Sequence, residues 1–455
     1  VQTPLTVWRP VVPEAASVSG ETKGAVRHGI EPLAGLRRDF GGLEVSLTST
    51  ALAGVEDGMD QLIHYPYGCL EQTASRLLPL IMAQVMGNRF SLKLPGNMHK
   101  RIRDGLGRML SMQRYDGGFG YWPKSTRSWV WTTAYALVVM HRAKRAEKAT
   151  GVTVSRRAIK RALTFLKRRA GQPALLGAYW WSYETFLLYA RALHGVDVHE
   201  RAVELHEQRE HQPLFARAML LSTLARGKRT AKVRRAIGEL VTELNDSLKI
   251  DGTTAHAEEG LHAGYQIMMH SDDRTTAMVL LALLHARPKH PLVTKLLKWF
   301  LVGRKQARFR NTQEAAWALM AFWDFAEIRE KQVPDFEAGL WLGNTRVIKA
   351  RFRGRSVKPV LRRVPMAELM RVAGTAAKAL TVAKRGRGTL YYVARLRYAR
   401  QQLPAKARDH GFAVRKKIVV LDRAGRPLKS GRAPRLGDTV LVTLRVKTTE
   451  ARRYV

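Results

Sequence analysis

A single cysteine, Cys69, stands in 455 residues, so no disulfide can form within the chain and stability has to come from packing. No apolar run reaches the roughly 20 residues that a membrane-spanning helix needs. Acidic residues are scarce: 37 Asp and Glu face 78 Lys and Arg, a formal net charge of +41. An excess of that size favours acidic partners, nucleic acids or anionic membrane surfaces. The basic residues are spread along the whole chain, however, including helical stretches such as SRRAIKRALTFLKRR, and no compact arm or finger motif gathers them. They read as a solvated basic surface rather than a dedicated nucleic-acid reader. An apolar fraction of 45% excludes wholesale disorder. The chain opens on Val1, VQTPLTVWRPVVPE lacks the apolar core of a signal peptide, and DTVLVTLRVKTTEARRYV stops inside an alternating pattern. Both ends read as cut.

What is present is a change of period. Short alternating runs ending in GGLEVSLTST give way to apolar residues at helical spacing. The helical stretches are EQTASRLLPLIMAQVM, WVWTTAYALVVMHRA, SRRAIKRALTFLKRR, YETFLLYARALHG, PLFARAMLLSTLARG, VRRAIGELVTELNDSL, DRTTAMVLLALLHA, PLVTKLLKWFLV and TQEAAWALMAFWDFAE. After Pro334 alternation returns in FEAGLWLGNTRVIKARFRG, KALTVAKRG and GTLYYVARLRYARQ, and again in FAVRKKIVVLD and GDTVLVTLRVK. Residues 1–18 read as a linker or the end of a preceding domain, 19–50 as β-structure, 51–331 as an array of helical hairpins, 332–402 as β-structure again and 403–455 as the start of another β-module. A helical block that interrupts two β-regions suggests an insertion into a β-sandwich. The glycine-rich turn Asp116–Pro123 and the aromatic cluster Tyr179–Tyr183 read as packing elements, the former suited to an α/α toroid.

The segment that carries chemistry is Tyr65-Pro66-Tyr67-Gly68-Cys69-Leu70-Glu71-Gln72-Thr73, directly before a strong helix. Gly68 permits a tight turn, and Glu71 lies in the first helical turn, where negative charge is favoured. Cys69 and Gln72 are spaced i, i+3 and share one face of that turn. Sulfur and side-chain carbonyl held there can condense with loss of ammonia to a β-cysteinyl-γ-glutamyl thioester. Such a bond hydrolyses when wet and has to be shielded; Tyr65 and Tyr67 are placed to help. A bare C-x-x-Q is a weak signal, whereas YPYGCLEQT at a β-to-helix junction is a strong one.

On that string the chain resembles the thioester-containing α2-macroglobulin and complement superfamily, and most of all the bacterial α2-macroglobulins. DGGFGYWP with WTTAYAL, NTQEAAWALMAF, GTLYYVARLRYA and DHGF extend the resemblance over nearly the whole chain. It implies an α/α-toroid thioester domain (51–331) inserted in a split CUB-type β-sandwich (19–50 and 332–402), followed by a partial macroglobulin-like β-sandwich (403–455). It also implies a broad-spectrum endopeptidase inhibitor rather than an enzyme. Gln72 supplies the acyl carbon, Cys69 is the leaving group and Tyr65 shields the bond, while an attacking protease is captured through a surface lysine. Complement relatives that prefer hydroxyl targets carry a histidine on a later helix. The comparable stretch here, Trp180-Trp181-Ser182-Tyr183-Glu184, has none, so direct attack by amines is expected, with His64 a minor candidate for assistance. No cofactor and no metal is expected. The resemblance further implies a periplasmic, lipid-anchored or secreted protein; the bait segment and the anchor would lie outside this chain.

Three other classes compete. An α/α-toroid terpenoid cyclase or prenyltransferase shares DGGFG-type turns but needs a D-x-D-D acid or a zinc site. Asp272-Asp273 and His256 to His262 are too sparse for either. A helical interaction scaffold with an inert cysteine leaves YPYGCLEQT unexplained. A cysteine hydrolase would need a convergent His base.

Overall fold

The structure, a computed structural model, describes residues 11–30, 32–53, 55–65, 68–90, 96–172, 180–251, 253–260, 269–302, 309–375, 379–402, 413–422, 424–428 and 437–448. The chain divides into two units, Pro13–Ala399 and a second one made of Val1–Val12 with Arg400–Val455.

Period-two patterning builds the β-part of the larger unit. Strands β1 (Glu14–Thr22), β2 (Ala25–Gly29) and β3 (Gly42–Thr48) precede the helices; β6 (Asp335–Leu342), β7 (Thr345–Arg353), β8 (Val360–Pro365), β9 (Ala379–Arg387) and β10 (Leu390–Tyr398) follow them. They form two four-stranded antiparallel sheets ordered β1-β10-β3-β8 and β2-β9-β6-β7. Each sheet joins strands from both sides of the helical block, with Val45 opposite Ala394 and Val26 opposite Val382. Leu43, Val45 and Leu47 of one sheet share a core with Phe336, Leu340 and Val382 of the other. The polypeptide therefore leaves a sandwich, makes its helices and returns to complete the same sandwich.

Two local differences from the sequence expectation have simple causes. Strand β1 begins at Glu14, inside the 1–18 stretch read as a linker. It is an edge strand, largely exposed, and so carries no apolar alternation to reveal it. A helix, Met366–Ala373, interrupts the second β-segment. Met366, Leu369 and Met370 supply a short buried stripe that propensity alone underrates.

The helices are α1 (Val55–Ile63), α2 (Leu70–Phe90), α3 (Met98–Leu110), α4 (Val130–Arg145), α5 (Glu147–Thr150), α6 (Arg156–Lys167), α7 (Trp180–Leu193), α8 (His199–Glu207), α9 (Leu214–Leu224), α10 (Ala231–Asp246), α11 (Asp272–Ala286), α12 (Pro291–Val302) and α13 (Thr312–Arg329). They sort by burial. In α13 every residue from Thr312 to Ala326 is buried, and α4, α7, α9 and α11 are buried nearly all round, the mark of helices enclosed by other helices. In α6 and α10 only one stripe is buried, Ala158, Ile159, Ala162, Phe165 and Leu166 in the former. The enclosed helices pack in a cycle: α2 on α4, α4 on α7, α7 on α9, α9 on α11, α11 on α13, and α13 back on α2. Side-chain oxygens of Ser155, Thr230, Ser271 and Asn311 accept N–H bonds at the starts of α6, α10, α11 and α13. Helix α3 escaped the periodicity reading because only Met98, Ile102, Leu106 and Met109 of its strongly basic sequence are buried. The hairpin β4 (Leu248–Asp251) with β5 (Thr254–Ala257) inside the helical block was also not anticipated.

In the second unit, β11 (Ala413–Leu421) and β12 (Thr439–Lys447) pair antiparallel, Ile418 opposite Val442. The remainder of the β-module expected over 403–455 lies outside the described residues. Among the described residues no helix is long and apolar enough to cross a membrane.

Near the C-terminal ends of the enclosed helices, Arg142 of α4 forms a two-point ion pair with Asp324 of α13, Nη2 to Oδ2 at 2.9 Å, with both side chains almost fully buried. His285 of α11 adds Nε2 to the same Oδ2 at 2.9 Å. Burial opposes the Asp324 charge, but Arg142 and His285 hold its carboxyl well below the ordinary range. Asp324→Ala leaves a buried guanidinium uncompensated and should cost about 3–5 kcal/mol in chemical denaturation. A second effect belongs to His141, which burial and then the charges of Arg142 and His194 push from 6.5 down to about 3. Its contribution is complete above the unfolded value and is lost as pH falls, because only the unfolded state takes up the proton. Stability should decline from about pH 6.5 towards 4, and His141→Asn should flatten that decline in urea titrations at stepped pH.

Candidate functional site

Cys69 is the capping residue of α2. Its carbonyl accepts the first helical bond, from Thr73 N at 2.9 Å. Three positions on, Gln72 folds its side chain back, and the Cys69 backbone N–H donates to Gln72 Oε1 at 3.2 Å. In return the backbone N–H groups of Gln72 and Glu71 bear on the Cys69 sulfur. This is a reciprocal capping box with cysteine in the place usually taken by Ser or Thr. Helix-start geometry thereby holds the glutamine carboxamide over the cysteine. Cys69 is 8% exposed. Burial pushes its thiol pKa up, the Gln72 N–H pulls it back, and the nearby Glu71 charge raises it again.

Glu71 is more than a charge near a helix dipole. It is 1% exposed, and its Oε1 accepts from Ser75 Oγ at 2.7 Å, Thr312 Oγ1 at 2.7 Å and Gln313 Nε2 at 2.8 Å. Ser75 Oγ also meets Tyr135 OH at 2.7 Å, and Trp317 Nε1 donates to Gln313 Oε1 at 3.0 Å. One carboxylate thus ties α2, α4 and α13 together one residue from Gln72. Arg274 of α11, fully buried against Phe215, faces the same network. Burial lowers its pKa to about 10, while Tyr135, Glu259 and Glu71 pull it up.

The glycine-rich turn after α3 presses on the site. Gly117 has φ 92°, and a Cβ on Gly118 would stand 2.5 Å from both Phe165 Cε2 and Ser128 Cβ, so no side chain fits there. Phe119 is fully buried, its N–H donating to Thr133 Oγ1 at 2.8 Å and its carbonyl accepting from Thr132 Oγ1 at 2.7 Å. That anchorage delivers the carbonyl of Tyr121 to the Leu70 N–H, 2.9 Å away, which satisfies a donor of the α2 start. The Tyr121 phenol is pushed up to about 12 by burial and by the charges of Tyr183, Cys69 and Glu71. Tyr121 therefore belongs to the surroundings of Cys69, with Tyr183 near Tyr121, where sequence reasoning had assigned both to packing. No local pattern reveals this, since both arrive from distant elements.

Other expected residues fare differently. Tyr65 is half-buried just past α1, its N–H donating to Leu62 O at 3.2 Å. Tyr67 lies outside the described residues. Gly68 is not crowded: the nearest atom to a Cβ there is Arg108 Nη2 at 4.0 Å. His64 is exposed and its Nδ1 lies 3.1 Å from Asp60 O, which leaves it engaged with its own helix. Asp272 Oδ1 accepts from Glu259 N at 2.9 Å and Asp273 Oδ1 from Trp299 Nε1 at 2.7 Å, while His256 stacks on Trp299 at 3.9 Å. These groups are consumed by structure, and among the described residues no three His, Cys, Asp or Glu side chains converge as metal ligands.

Removing the Glu71 carboxylate leaves three buried donors without an acceptor. Glu71→Ala should lower the unfolding free energy by about 3 kcal/mol, and Glu71→Gln by less, since an acceptor oxygen remains. Urea denaturation compares the two variants.

Residues 43–174 match the family described as the A-macroglobulin TED domain. An alpha-2-macroglobulin of Ralstonia nicotianae is 32% identical over 216 residues, covering 44% of this chain and 14% of that protein. The native Escherichia coli alpha-2-macroglobulin, solved from domain MG7 to the C-terminus, superposes with a TM-score of 0.53 at 20% identity over 97% of this chain and 65% of that one. The trypsin-activated form of the E. coli protein superposes with a TM-score of 0.58 at 20% identity, over 96% of this chain and 28% of that one. This chain thus spans only a part of these relatives. Residues 43–174 thus match the A-macroglobulin TED domain, and over a longer stretch the chain is similar to bacterial alpha-2-macroglobulins, with which it shares its fold.

Proposed function

We propose that Cys69 and Gln72 form an internal thioester, and that the protein containing this chain inhibits endopeptidases by passing that acyl group to a surface lysine of the attacker. The observation that carries this reading is the capping box: Gln72 Oε1 lies 3.2 Å from the Cys69 N–H at the start of a helix whose cap residue is buried. To form the bond, Cys69 Sγ attacks Gln72 Cδ and ammonia leaves. In capture, a lysine nitrogen attacks the same Cδ, the C–S bond breaks, the electron pair leaves on sulfur and the amine proton passes to solvent. The product is an isopeptide bond and a free Cys69 thiolate. The acyl group is consumed once, so the device is a trap and not an enzyme.

The Cys69 N–H has a second use in this scheme. It points at Oε1, the atom that becomes an oxyanion in both tetrahedral intermediates, and a fixed backbone donor there stabilises them. Burial acts in the other direction. It excludes water and keeps the thiol pKa high, which makes sulfur a poor leaving group until the site opens. Tyr65 and Tyr67, together with Tyr121, would supply the cover. Without a histidine in Trp180–Glu184 the acceptor is expected to be an amine attacking directly.

The wider reading follows the same family. The helix cycle would be the α/α toroid, the interrupted sandwich the CUB-type domain, and β11–β12 part of a macroglobulin-like sandwich. The trypsin-activated state of the E. coli relative supports proteases as partners. A periplasmic location with a lipid anchor is the accompanying expectation.

Intact mass of the full-length protein, purified without amines, tests the thioester. The chain should be one ammonia lighter than its sequence and resist iodoacetamide; methylamine should then release one thiol, while glycerol should not. An unaltered mass with an alkylatable Cys69 would remove the basis of the proposal, and Cys69→Ser should abolish covalent capture of trypsin by the full-length protein.

A further inference from the structure

Gln72, unlike its neighbour Glu71, is only half-buried, so the residue that would carry the acyl group borders solvent. The charge along that border is one-sided. Arg76 follows Gln72 by four positions and lies one turn along the same face of α2. Arg108, in the last turn of α3, sets Nη2 4.0 Å from where a Cβ on Gly68 would stand. Arg127 holds its Cζ 3.6 Å from the centre of the Trp129 ring. Trp129 in turn meets Tyr121 at 5.9 Å, the residue whose carbonyl accepts the Leu70 N–H. Arg108 and Arg127 are exposed and Arg76 is half-buried.

None of these three guanidinium groups forms an ion pair among the described residues. The described carboxylates of α1, α2, α3 and the glycine-rich turn are engaged elsewhere. Glu71 is buried under three donors. Asp104 holds Lys100 at 2.5 Å and Arg103 at 4.0 Å. Asp116 accepts from Ser128 Oγ at 2.7 Å and from the Gly118 N–H at 3.0 Å, and Asp60 lies 3.2 Å from His64 Nδ1. A cationic border acts on an amine acceptor in two ways, because a lysine is itself a cation until it loses its proton. A like charge close by disfavours the ammonium form and raises the share of free amine, the form that attacks. It also repels a lysine that stands alone and attracts one whose neighbours are carboxylates.

We propose that Arg76 and Arg108, with Arg127 at the outer edge, form a cationic rim that selects as acyl acceptor a lysine set among acidic residues of the attacking protein. The proposal rests on the thioester reading and adds to it which lysine reacts. Arginine suits the role, since its planar fork takes a carboxylate at two points and its charge persists at any physiological pH. Carboxylates flanking the lysine would be held at the rim while the lysine nitrogen reaches Gln72 Cδ. The formal +41 of the whole chain adds long-range attraction for acidic surfaces; the rim turns that general attraction into a choice between lysines.

The test uses the full-length protein, with loss of ammonia verified by intact mass, and follows thiol release by three nucleophiles near neutral pH. These are uncharged hydroxylamine, a peptide with glutamates on both sides of a single lysine, and the same peptide with glutamines in their place. The acidic peptide should react roughly tenfold faster than the neutral one at low salt. The ratio should approach one at about 1 M salt, where charges are screened beyond roughly 3 Å. Arg76→Gln and Arg108→Gln should each cut the preference by about threefold and leave the hydroxylamine rate unchanged, which reports an intact thioester and fold. Arg108→Lys should keep most of the preference, and Lys232→Gln on the exposed surface of α10, of equal charge change, should keep all of it. Equal rates for the two peptides on the ammonia-depleted protein, a preference that survives the double variant, or equal weakening by Lys232→Gln would overturn the rim and leave the thioester reading standing. An unaltered mass with an alkylatable Cys69 would remove the thioester reading and the rim with it.

Discussion

A carboxylate one residue from Gln72 holds the start of α2 in place. Glu71 receives donors from its own helix and from the first turn of α13, and α13 is the helix that returns to α2 to complete the cycle. Burying a carboxylate is unfavourable unless its lone pairs are filled. Here they are filled only when the first and last enclosed helices stand side by side. Closure of the helix cycle and placement of the Cys69–Gln72 turn are therefore one event. A chain in which α13 failed to dock would take Thr312 and Gln313 away from Glu71 and would loosen the capping box beside it.

The capping box itself converts a common structural device into a chemical one. A helix start presents N–H groups with no intrahelical partner. Glutamine at the third position answers one of them with its side-chain oxygen, and cysteine at the cap lies under two others. The donors of the helix start thus hold the Gln72 side-chain oxygen at the Cys69 backbone N–H. Tyr121 from the glycine-rich loop closes on this turn through its carbonyl. Gly118 permits this, since only a residue without Cβ lets the loop lie against Phe165 and Ser128.

Charge is distributed on a different principle from the chemistry. Buried Arg142 is matched by Asp324 and His285, whereas buried Arg274 lies over the Phe215 and Trp317 rings with no hydrogen-bond partner among the described residues. Over the whole chain 78 basic residues face 37 acidic ones.

Sequence alone specified much of this protein. Each of the nine helical stretches read from its 3.6-residue period forms a helix, and the alternation of Leu43, Val45 and Leu47 predicts their common face, because local periodicity reports which side is buried. The Cys69–Gln72 pairing was legible for the same reason: a capping box spans only four residues. Sequence did not reveal β1, whose exposed edge position leaves no apolar pattern, or α3, whose basic surface hides a thin buried stripe. Nor did it reveal what lies across space from the motif. That Glu71 meets Thr312 and Gln313, and that Tyr121 closes on Leu70, are consequences of tertiary packing, in which partners hundreds of residues apart are selected by unpaired polar groups and the shape left between helices, quantities that no local stretch of chain encodes.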